Sequence, residues 1–145
     1  MQVASGGLFH LPLATCHSQT CNMIDQEKLN LLTEFTSAWG RSDLDGLMNL
    51  MTDDCVYAAS VGPEPGTTFR GKEEVRRGFA EIIKYESGGE QRDGRKWVSG
   101  DYVFSEWAYD EIAEDGTVVD IRGIDIFHFI DGKLALKDAY RKTQK

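Results

Sequence analysis

Residues 121–136 read IRGIDIFHFIDGKLAL, and this stretch decides the fold that the sequence predicts. A run of apolar and β-branched residues ends at Asp131-Gly132, and a second such run starts directly after it. Asp-Gly between two runs of this kind is among the strongest short signals for a β-hairpin. Because side chains alternate along a strand, one face carries Ile121, Gly123, Asp125, Phe127 and Phe129, and the other carries Arg122, Ile124, Ile126, His128 and Ile130.

The same hairpin signal occurs once more, at Asp115-Gly116. Together the two turns predict that residues 97–111, 117–130 and 133–143 form three long antiparallel strands. Strands of this length exceed the usual five or six residues. We therefore expect a strongly curved sheet, because the twist of each strand accumulates along its length.

Helical periodicity marks the chain ahead of these strands. Apolar residues recur at spacings of three and four in residues 25–39 and 72–84, which predicts two amphipathic helices. A short helix capped by Ser42 and a short strand at 55–59 are predicted between them, and residues 88–94 are predicted to be a polar loop. Three helices ahead of such strands predict an α+β domain, in which a cone-shaped antiparallel sheet is covered by the helices and encloses a pocket.

Composition excludes several classes of protein. The chain has 145 residues, which suits one domain, and its formal net charge is −8. An acidic balance argues against nucleic-acid and anionic-membrane partners, and no apolar stretch has the ~20 residues of a membrane helix. The three cysteines are too few for a disulfide scaffold, and no Cys/His pair has zinc-site spacing. We expect a cytoplasmic protein without a metal or cofactor.

A change in composition near the N-terminus predicts a boundary. Residues 1–23 contain no Asp, Glu, Lys or Arg, whereas three of the next five residues are charged. We expect an N-terminal extension over 1–23 and a single domain over 24–145. A signal peptide is not expected, because it would need a basic start and a longer apolar centre than this segment, which Pro12 interrupts.

Four segments carry a family resemblance: SDLD at 42–45, MTDDCVY at 51–57, FRGKEEV at 69–75 and RGIDIFHFIDGKL at 122–134. In this order they resemble the nuclear transport factor 2-like superfamily, and most closely its SnoaL-like branch, whose enzymatic relatives are polyketide cyclases and ketosteroid isomerases. The resemblance covers about residues 24–143 and implies the cystatin-like fold of that superfamily. It implies less about function, because enzymes, carriers and dimerisation modules share this scaffold.

The resemblance implies a role for Asp125, which matches the oxyanion-hole aspartic acid of ketosteroid isomerase and the acid/base aspartate of the cyclases. The isomerase general base falls at Ala59 and its oxyanion-hole tyrosine at Phe35, and neither side chain can move a proton. Steroid isomerisation is therefore not expected. The superfamily's epoxide hydrolases use an Arg-x-Asp pair on one strand face, whereas Arg122 and Asp125 are three residues apart and point to opposite faces.

Hairpin register predicts which side chains lie beside Asp125. If Asp115-Gly116 is a two-residue turn, Glu106 lies directly opposite Asp125, and a loop longer by one residue would put Ser105 there. A further alternative is that Glu106 faces solvent and Trp107 faces inward. Two carboxylates side by side in an apolar pocket would share one proton near neutral pH, as acid/base work requires.

The last hairpin decides which side chain neutralises that charge. A three-residue turn with a glycine bulge puts Lys137 beside Asp125, whereas a two-residue turn puts Asp138 there. We favour Lys137, because three neighbouring carboxylates would repel one another and an ammonium relieves the repulsion. The alternative role of the Asp125–Lys137 pair is an internal salt bridge that only satisfies two polar groups.

These inferences predict a cofactor-independent enzyme of the isomerase, cyclase or hydratase kind, with Asp125 as general acid/base, Glu106 assisting and Lys137 setting the charge state. The pocket would hold a small, largely apolar molecule among aromatic side chains, namely Phe35, Trp39, Tyr57, Phe104 and Phe127. The alternative function is a non-catalytic ligand-binding or dimerisation module on the same fold.

The other face of the central strand predicts a homodimer. It carries the apolar side chains of Ile124 and Ile126 beside His128, and we expect Leu134 and Leu136 to extend this patch. An apolar patch of that size on a single chain is typical of an interface, and a second copy of the chain is the expected partner.

Overall fold

The computed structural model describes residues 23–86 and 90–142, so the extension predicted for residues 1–23 lies outside it except for Met23. No helix in these two ranges is both long and apolar enough to cross a membrane. The elements confirm the α+β class. In chain order they are α1 (Asp25–Gly40), α2 (Leu44–Asn49), β1 (Met51–Ala58), β2 (Thr68–Arg70), α3 (Lys72–Tyr85), β3 (Arg92–Ser99), β4 (Tyr102–Ile112), β5 (Val118–Ile130) and β6 (Lys133–Lys142).

The six strands form one curved, unclosed sheet in the order β2-β1-β6-β5-β4-β3. Neighbouring strands run antiparallel, except that β1 and β6 run parallel. A parallel pair needs a long crossover connection, and here everything from β2 to β5 lies between the two strands. The pairing brings β1 beside the end of the chain, so that side chains of β1 and β6 share the inner face of the sheet.

One predicted strand is in fact two. The chain reverses direction between Ser99 and Tyr102, where Gly100 has φ +56°. Glycine adopts this left-handed conformation without steric cost. The prediction of a single strand over 97–111, preceded by a loop through residue 94, was wrong because this turn lacks the Asp-Gly signal of the other two.

Helices α1 and α3 bury their apolar faces against the inner face of the sheet. Leu32, Phe35, Val75 and Phe79 are each at most 1 % exposed. The short helix α2 begins one residue later than predicted, because Asp43 rather than Ser42 caps it, with Asp43 Oδ1 accepting from the Gly46 N–H at 2.9 Å. The helices therefore cover the face on which the alternation of β5 places Asp125.

The β4–β5 hairpin has the longer of the two predicted loops. Ala113 and Thr117 close it through a backbone hydrogen bond of 2.9 Å, and Gly116 within it has φ +83°. Ser105 is therefore the residue opposite Asp125. The prediction that Glu106 occupies that position was wrong, because one extra loop residue moves every side chain of β4 to the other face.

The β5–β6 hairpin has a tight turn and then an irregularity. Ile130 pairs with Lys133 across Asp131-Gly132, but a bulge at Ala135 shifts the register beyond it. Ala139, neither of the two predicted residues, lies opposite Asp125, and Lys137 is its diagonal neighbour on the same face.

Candidate functional site

The Asp125 carboxylate points into the domain and has a partner on each oxygen. Oδ2 lies 2.9 Å from the Lys137 ammonium, and Oδ1 accepts a hydrogen bond of 3.0 Å from the indole N–H of Trp107. The side chains of Asp125 and Lys137 are only 10 % and 8 % exposed. A buried carboxylate is stable only when it is paired and hydrogen-bonded, and these two contacts meet that requirement.

Trp107 reaches Asp125 because its direct neighbour across the hairpin is a glycine. Gly123 lies opposite Trp107, and a Cβ built on Gly123 would collide with the Trp107 ring and with the Tyr140 carbonyl oxygen. Only the absence of a side chain lets the indole lie across β5 with its N–H toward Asp125.

Aromatic rings surround the Lys137 ammonium. Its Nζ lies 5.0 Å from the ring centroids of Trp39 and Tyr57 and 6.0 Å from that of Phe127. These distances suit cation–π attraction, which is strongest at desolvated sites. The ammonium is therefore held by one carboxylate and three ring faces, supplied by α1, β1 and β5.

These groups line a small cavity of about 40 Å³. A single water molecule needs about 10–15 Å³ of such space, so the cavity has room for a few waters at most. Four of the five predicted pocket residues line it, namely Phe35, Trp39, Tyr57 and Phe127. A larger organic molecule would enter only if side chains at the mouth, such as Tyr85, moved.

A second carboxyl group, absent from the sequence-based prediction, lies in this cavity. Glu86 follows the last residue of α3, lines the cavity, and accepts a hydrogen bond of 3.1 Å from the Trp39 indole N–H. Burial raises the pKa of Glu86, although the Trp39 hydrogen bond and the Lys137 charge oppose that shift. A usable signal was present, because Glu86 continues the helical spacing of Phe79 and Ile82 along the inward face.

Two further polar groups lie in the cavity wall. The Tyr57 side chain is almost fully buried, and burial raises the pKa of its phenol far above the ordinary value, so the phenol remains protonated. Arg141 lines the wall from β6, with its Nη2 3.4 Å from Glu111 Oε2.

Two predicted site residues lie elsewhere. Glu106 is on the outer face of the sheet, where Arg95 donates to it from Nε at 3.0 Å and from Nη2 at 2.9 Å. The Arg95 guanidinium holds the pKa of Glu106 below its usual range. Phe104 is also on the outer face, opposite Trp97 and Ile126. Both placements follow from the β4–β5 register, which gives even-numbered β4 residues to the outer face.

The positions that the resemblance links to the steroid isomerases are buried and apolar. Ala59 is 4 % exposed and Phe35 is 1 % exposed, so neither offers a proton-transfer group to the cavity. Within residues 23–86 and 90–142, no group of three or more His, Cys, Asp or Glu side chains is arranged to hold a metal ion. Asp125 and Glu86 are thus the carboxyl groups that line the cavity, and Tyr57, Tyr85 and Tyr109 contribute phenols to it.

Comparison with known proteins agrees with this fold. The family model of the SnoaL-like domain matches residues 32–136. No curated protein sequence matches the chain. Among solved structures, a nuclear transport factor 2-like protein of unknown function from Mesorhizobium loti is 20 % identical, with a TM-score of 0.68 over 81 % of this chain and 93 % of that one.

Two similar structures belong to proteins whose descriptions mention small organic molecules. The epoxide hydrolase/cyclase-like enzyme SalBIII, described in pyran ring formation in the polyether salinomycin, is 18 % identical, with a TM-score of 0.67 over 82 % of this chain and 93 % of its own. TerC, co-crystallised with polyporic acid, is 16 % identical, with a TM-score of 0.67 over 80 % of this chain and 92 % of its own. At these identities the likeness establishes the fold.

Proposed function

Because the chain belongs to the SnoaL-like domain family, we propose that its inner cavity binds a small, largely apolar molecule and that Asp125 exchanges a proton with it. The observation that carries the proposal is the buried Asp125 carboxylate at a cavity wall, held by Lys137 and Trp107 among aromatic rings. Cavities with apolar walls and a few convergent polar groups are typical binding sites for small molecules.

The chemistry follows from the two partners of Asp125. The Lys137 ammonium stabilises the carboxylate form, and the Trp107 N–H fixes the direction of the carboxylate plane. A carboxylate held in this way can accept a proton from a bound molecule and return it, which is general acid/base catalysis. The step requires only side chains of this protein, so we propose no metal or organic cofactor.

The size of the cavity restricts the ligand. A molecule larger than a few waters must displace side chains at the mouth, and the exposed Tyr85 is a large side chain there. On the same fold, SalBIII is described in pyran ring formation in salinomycin, and TerC is co-crystallised with polyporic acid. They support a small organic molecule as the class of ligand.

A binding screen with matched variants tests the proposal. Small carboxylic acids, lactones and polycyclic ketones would be screened by thermal shift and then by crystal soaking. Asp125→Asn should abolish the affinity for any hit, whereas Asp120→Asn, on the exposed face of the same strand, should leave it unchanged. Equal affinity of the Asp125→Asn and wild-type proteins would contradict the proposal.

The Glu106→Gln variant tests whether Glu106 contributes to ligand binding, as the sequence predicts, or lies outside the binding site. Glu106 lies on the outer face with Arg95, so removing its charge should not alter ligand affinity. A loss of affinity in this variant, with the fold intact, would show that the outer face takes part in binding.

A second candidate function is ligand binding without chemistry. It is favoured by the apolar side chains of Ala59 and Phe35, at the positions where the resemblance places the general base and the oxyanion-hole tyrosine of ketosteroid isomerase. The two functions are distinguished by incubating the protein with a bound hit and analysing the recovered molecule by NMR. An unchanged molecule without solvent deuterium would favour the binding module.

We also propose that the outer face of the sheet pairs with a second copy of the chain. Trp97, Tyr102 and Tyr140 on this face are 44 %, 40 % and 54 % exposed, and they surround partly buried apolar residues. Leu134, which we expected in this patch, instead lies in the core, because it precedes the Ala135 bulge and is fully buried. Leu136 lies on the outer face, opposite His128.

A further inference from the structure

The inner cavity shares a wall with a groove on the surface of the domain. This groove, here called the end groove, lies between the ends of α1 and α3 beside the start of β3 and has a volume of about 610 Å³. Five of the described residues line both spaces, namely Thr36, Trp39, Glu86, Gln91 and Tyr109. The side chains of this wall therefore decide whether the groove and the cavity connect.

The two spaces differ in the size of molecule that they can hold. The cavity of about 40 Å³ has room for a few waters, whereas sites for small organic molecules typically have ~300–1,000 Å³. The end groove falls within that range. A small organic ligand therefore has room in the end groove, and the shared wall separates it from Asp125.

We propose that the Glu86 side chain is the gate in this wall, so that a ligand in the end groove reaches Asp125 when Glu86 moves away from the Trp39 indole. This inference rests on the proposed function of the cavity and adds the route by which a ligand enters it. The role of Glu86 is to control access, and it involves no proton transfer.

A single hydrogen bond holds the gate closed. The Trp39 indole N–H donates to Glu86 Oε2 at 3.1 Å, and this bond joins α1 to the end of α3. Within residues 23–86 and 90–142, no salt bridge adds to the hold on the Glu86 carboxyl group. Opening the wall therefore costs little more than this one bond.

Trp39 is the fixed partner in this bond, and Glu86 is the movable one. The Trp39 ring packs against Phe79 with 5.1 Å between centroids, lies 5.0 Å from the Lys137 ammonium, and is 8 % exposed. Glu86 is partly exposed and is the C-cap of α3. Gating motions are commonly absorbed by residues at the ends of elements, so we assign the motion to Glu86.

Hydration favours the open position of the Glu86 carboxylate. Burial raises the pKa of Glu86, although the Trp39 hydrogen bond and the Lys137 charge oppose that shift. The closed position therefore disfavours the ionised form. A carboxylate that turns into the end groove exchanges one hydrogen bond from an indole for hydrogen bonds from water.

Thiol labelling measures access to the cavity without a ligand. Ala139 lies opposite Asp125 and lines the cavity, so Ala139→Cys puts a thiol on the inner side of the gate. The probe is methyl methanethiosulfonate, a small neutral reagent, and peptide-resolved mass spectrometry separates this thiol from the native cysteines. Cys55 is fully buried in the core, so its labelling rate in the same sample reports unfolding.

The variants of Glu86 are compared in the Ala139→Cys background. Glu86→Ala should raise the labelling rate at position 139 by ~10-fold, as the loss of one hydrogen bond shifts an opening equilibrium. Glu86→Gln keeps an oxygen that accepts from the indole, and it should label near the parent rate. Glu90→Ala is the matched control, since Glu90 lines the end groove and not the cavity, and it should also label near the parent rate.

Two results of this labelling would overturn the gate. One is an equal rate at position 139 in the Glu86→Ala and parent proteins, or an acceleration that Cys55 shares. The other is acceleration by Tyr85→Ala and not by Glu86→Ala, which would show that molecules enter past the exposed Tyr85.

Hydrogen exchange of the indole N–H groups is a second measurement, and it needs no added cysteine. The Trp107 N–H bonds Asp125 inside the cavity, and Trp97, which is 44 % exposed, is the reference. Glu86→Ala should speed exchange of the Trp107 N–H relative to that of Trp97, whereas Glu86→Gln should not. Unchanged exchange at Trp107 in Glu86→Ala would overturn the gate.

The failures of the two proposals are distinguishable, because labelling and exchange use no ligand. If Glu86→Ala opens the cavity and Asp125→Asn leaves the affinity for every hit unchanged, the proposed function is wrong and the gate stands. If Glu86→Ala changes neither rate and Asp125→Asn abolishes affinity, the gate is wrong and the proposed function stands.

Discussion

Replacing Asp125 with Asn removes one charge from a buried ion pair and little else. The two side chains have nearly the same shape, and the Asn oxygen can still accept from the Trp107 N–H. Lys137, however, loses the carboxylate 2.9 Å from its ammonium, and its side chain is only 8 % exposed. The change therefore leaves an uncompensated buried charge.

The structure sets the size of the effect. Breaking a buried ion pair on one side typically costs ~3–5 kcal/mol of unfolding free energy. We expect the lower end, about 3 kcal/mol, because the ring faces of Trp39, Tyr57 and Phe127 still stabilise the ammonium. For a chain of this size, that corresponds to a fall in Tm of roughly 6–12 °C.

Urea unfolding of a double-mutant cycle measures this effect. The four proteins are wild type, Asp125→Asn, Lys137→Met and the double variant, and equal m-values would show that only stability changed. The double variant should be more stable than the sum of the single effects predicts, by ~1–3 kcal/mol. A cost below ~1 kcal/mol for Asp125→Asn, or additive single effects, would refute the buried pair as the centre of the site.

Three further predictions concern other contacts. Gly123→Ala should displace Trp107 and weaken its bond to Asp125; a melting temperature and tryptophan fluorescence equal to wild type would contradict the packing. Because burial raises the pKa of Glu86, the native state binds this proton more tightly than the unfolded state does. The stability that protonated Glu86 contributes is therefore complete below its ordinary pKa of 4.5 and is lost as pH rises through the raised native-state pKa. The stability advantage of Glu86→Gln over wild type should therefore grow with pH in that interval, and urea unfolding at a series of pH values would show no such growth if Glu86 were fully solvated. Ile126→Asp on the outer face should convert a dimer to a folded monomer in sedimentation, and a wild-type protein that sediments as a monomer would remove the proposed interface.

The face on which each side chain of β5 lies could be predicted from sequence alone. Alternation along a strand needs no knowledge of its partners, and Asp125, Phe127 and Phe129 are all on the inner face as expected. The neighbours of Asp125 across the hairpins could not be predicted with the same security. They depend on loop length and bulges, which are local features with weak sequence signals, so Ser105 and not Glu106 lies opposite.

Lys137 shows how a wrong register can still bring the right residues together. The prediction assumed a longer turn, whereas the structure has a two-residue turn followed by a bulge at Ala135. Both arrangements shift the register by an odd number of residues relative to a plain two-residue turn, so both leave Lys137 on the same face as Asp125. The long lysine side chain then spans the diagonal from the position beside Phe127.

The second carboxyl group could not be found along the strands, because it comes from the other layer of the domain. Helical spacing places Glu86 on the inward face of α3, yet which strand residues that face meets depends on how the helix packs across the sheet. That packing brings Trp39 of α1 between Glu86 and Lys137. Glu86 lies at a helix end and Asp125 on a central strand, and the Lys137 ammonium acts on both carboxyl groups. Sequence can therefore place each carboxyl group within its own element, whereas only the packing between the two layers brings both to one cavity.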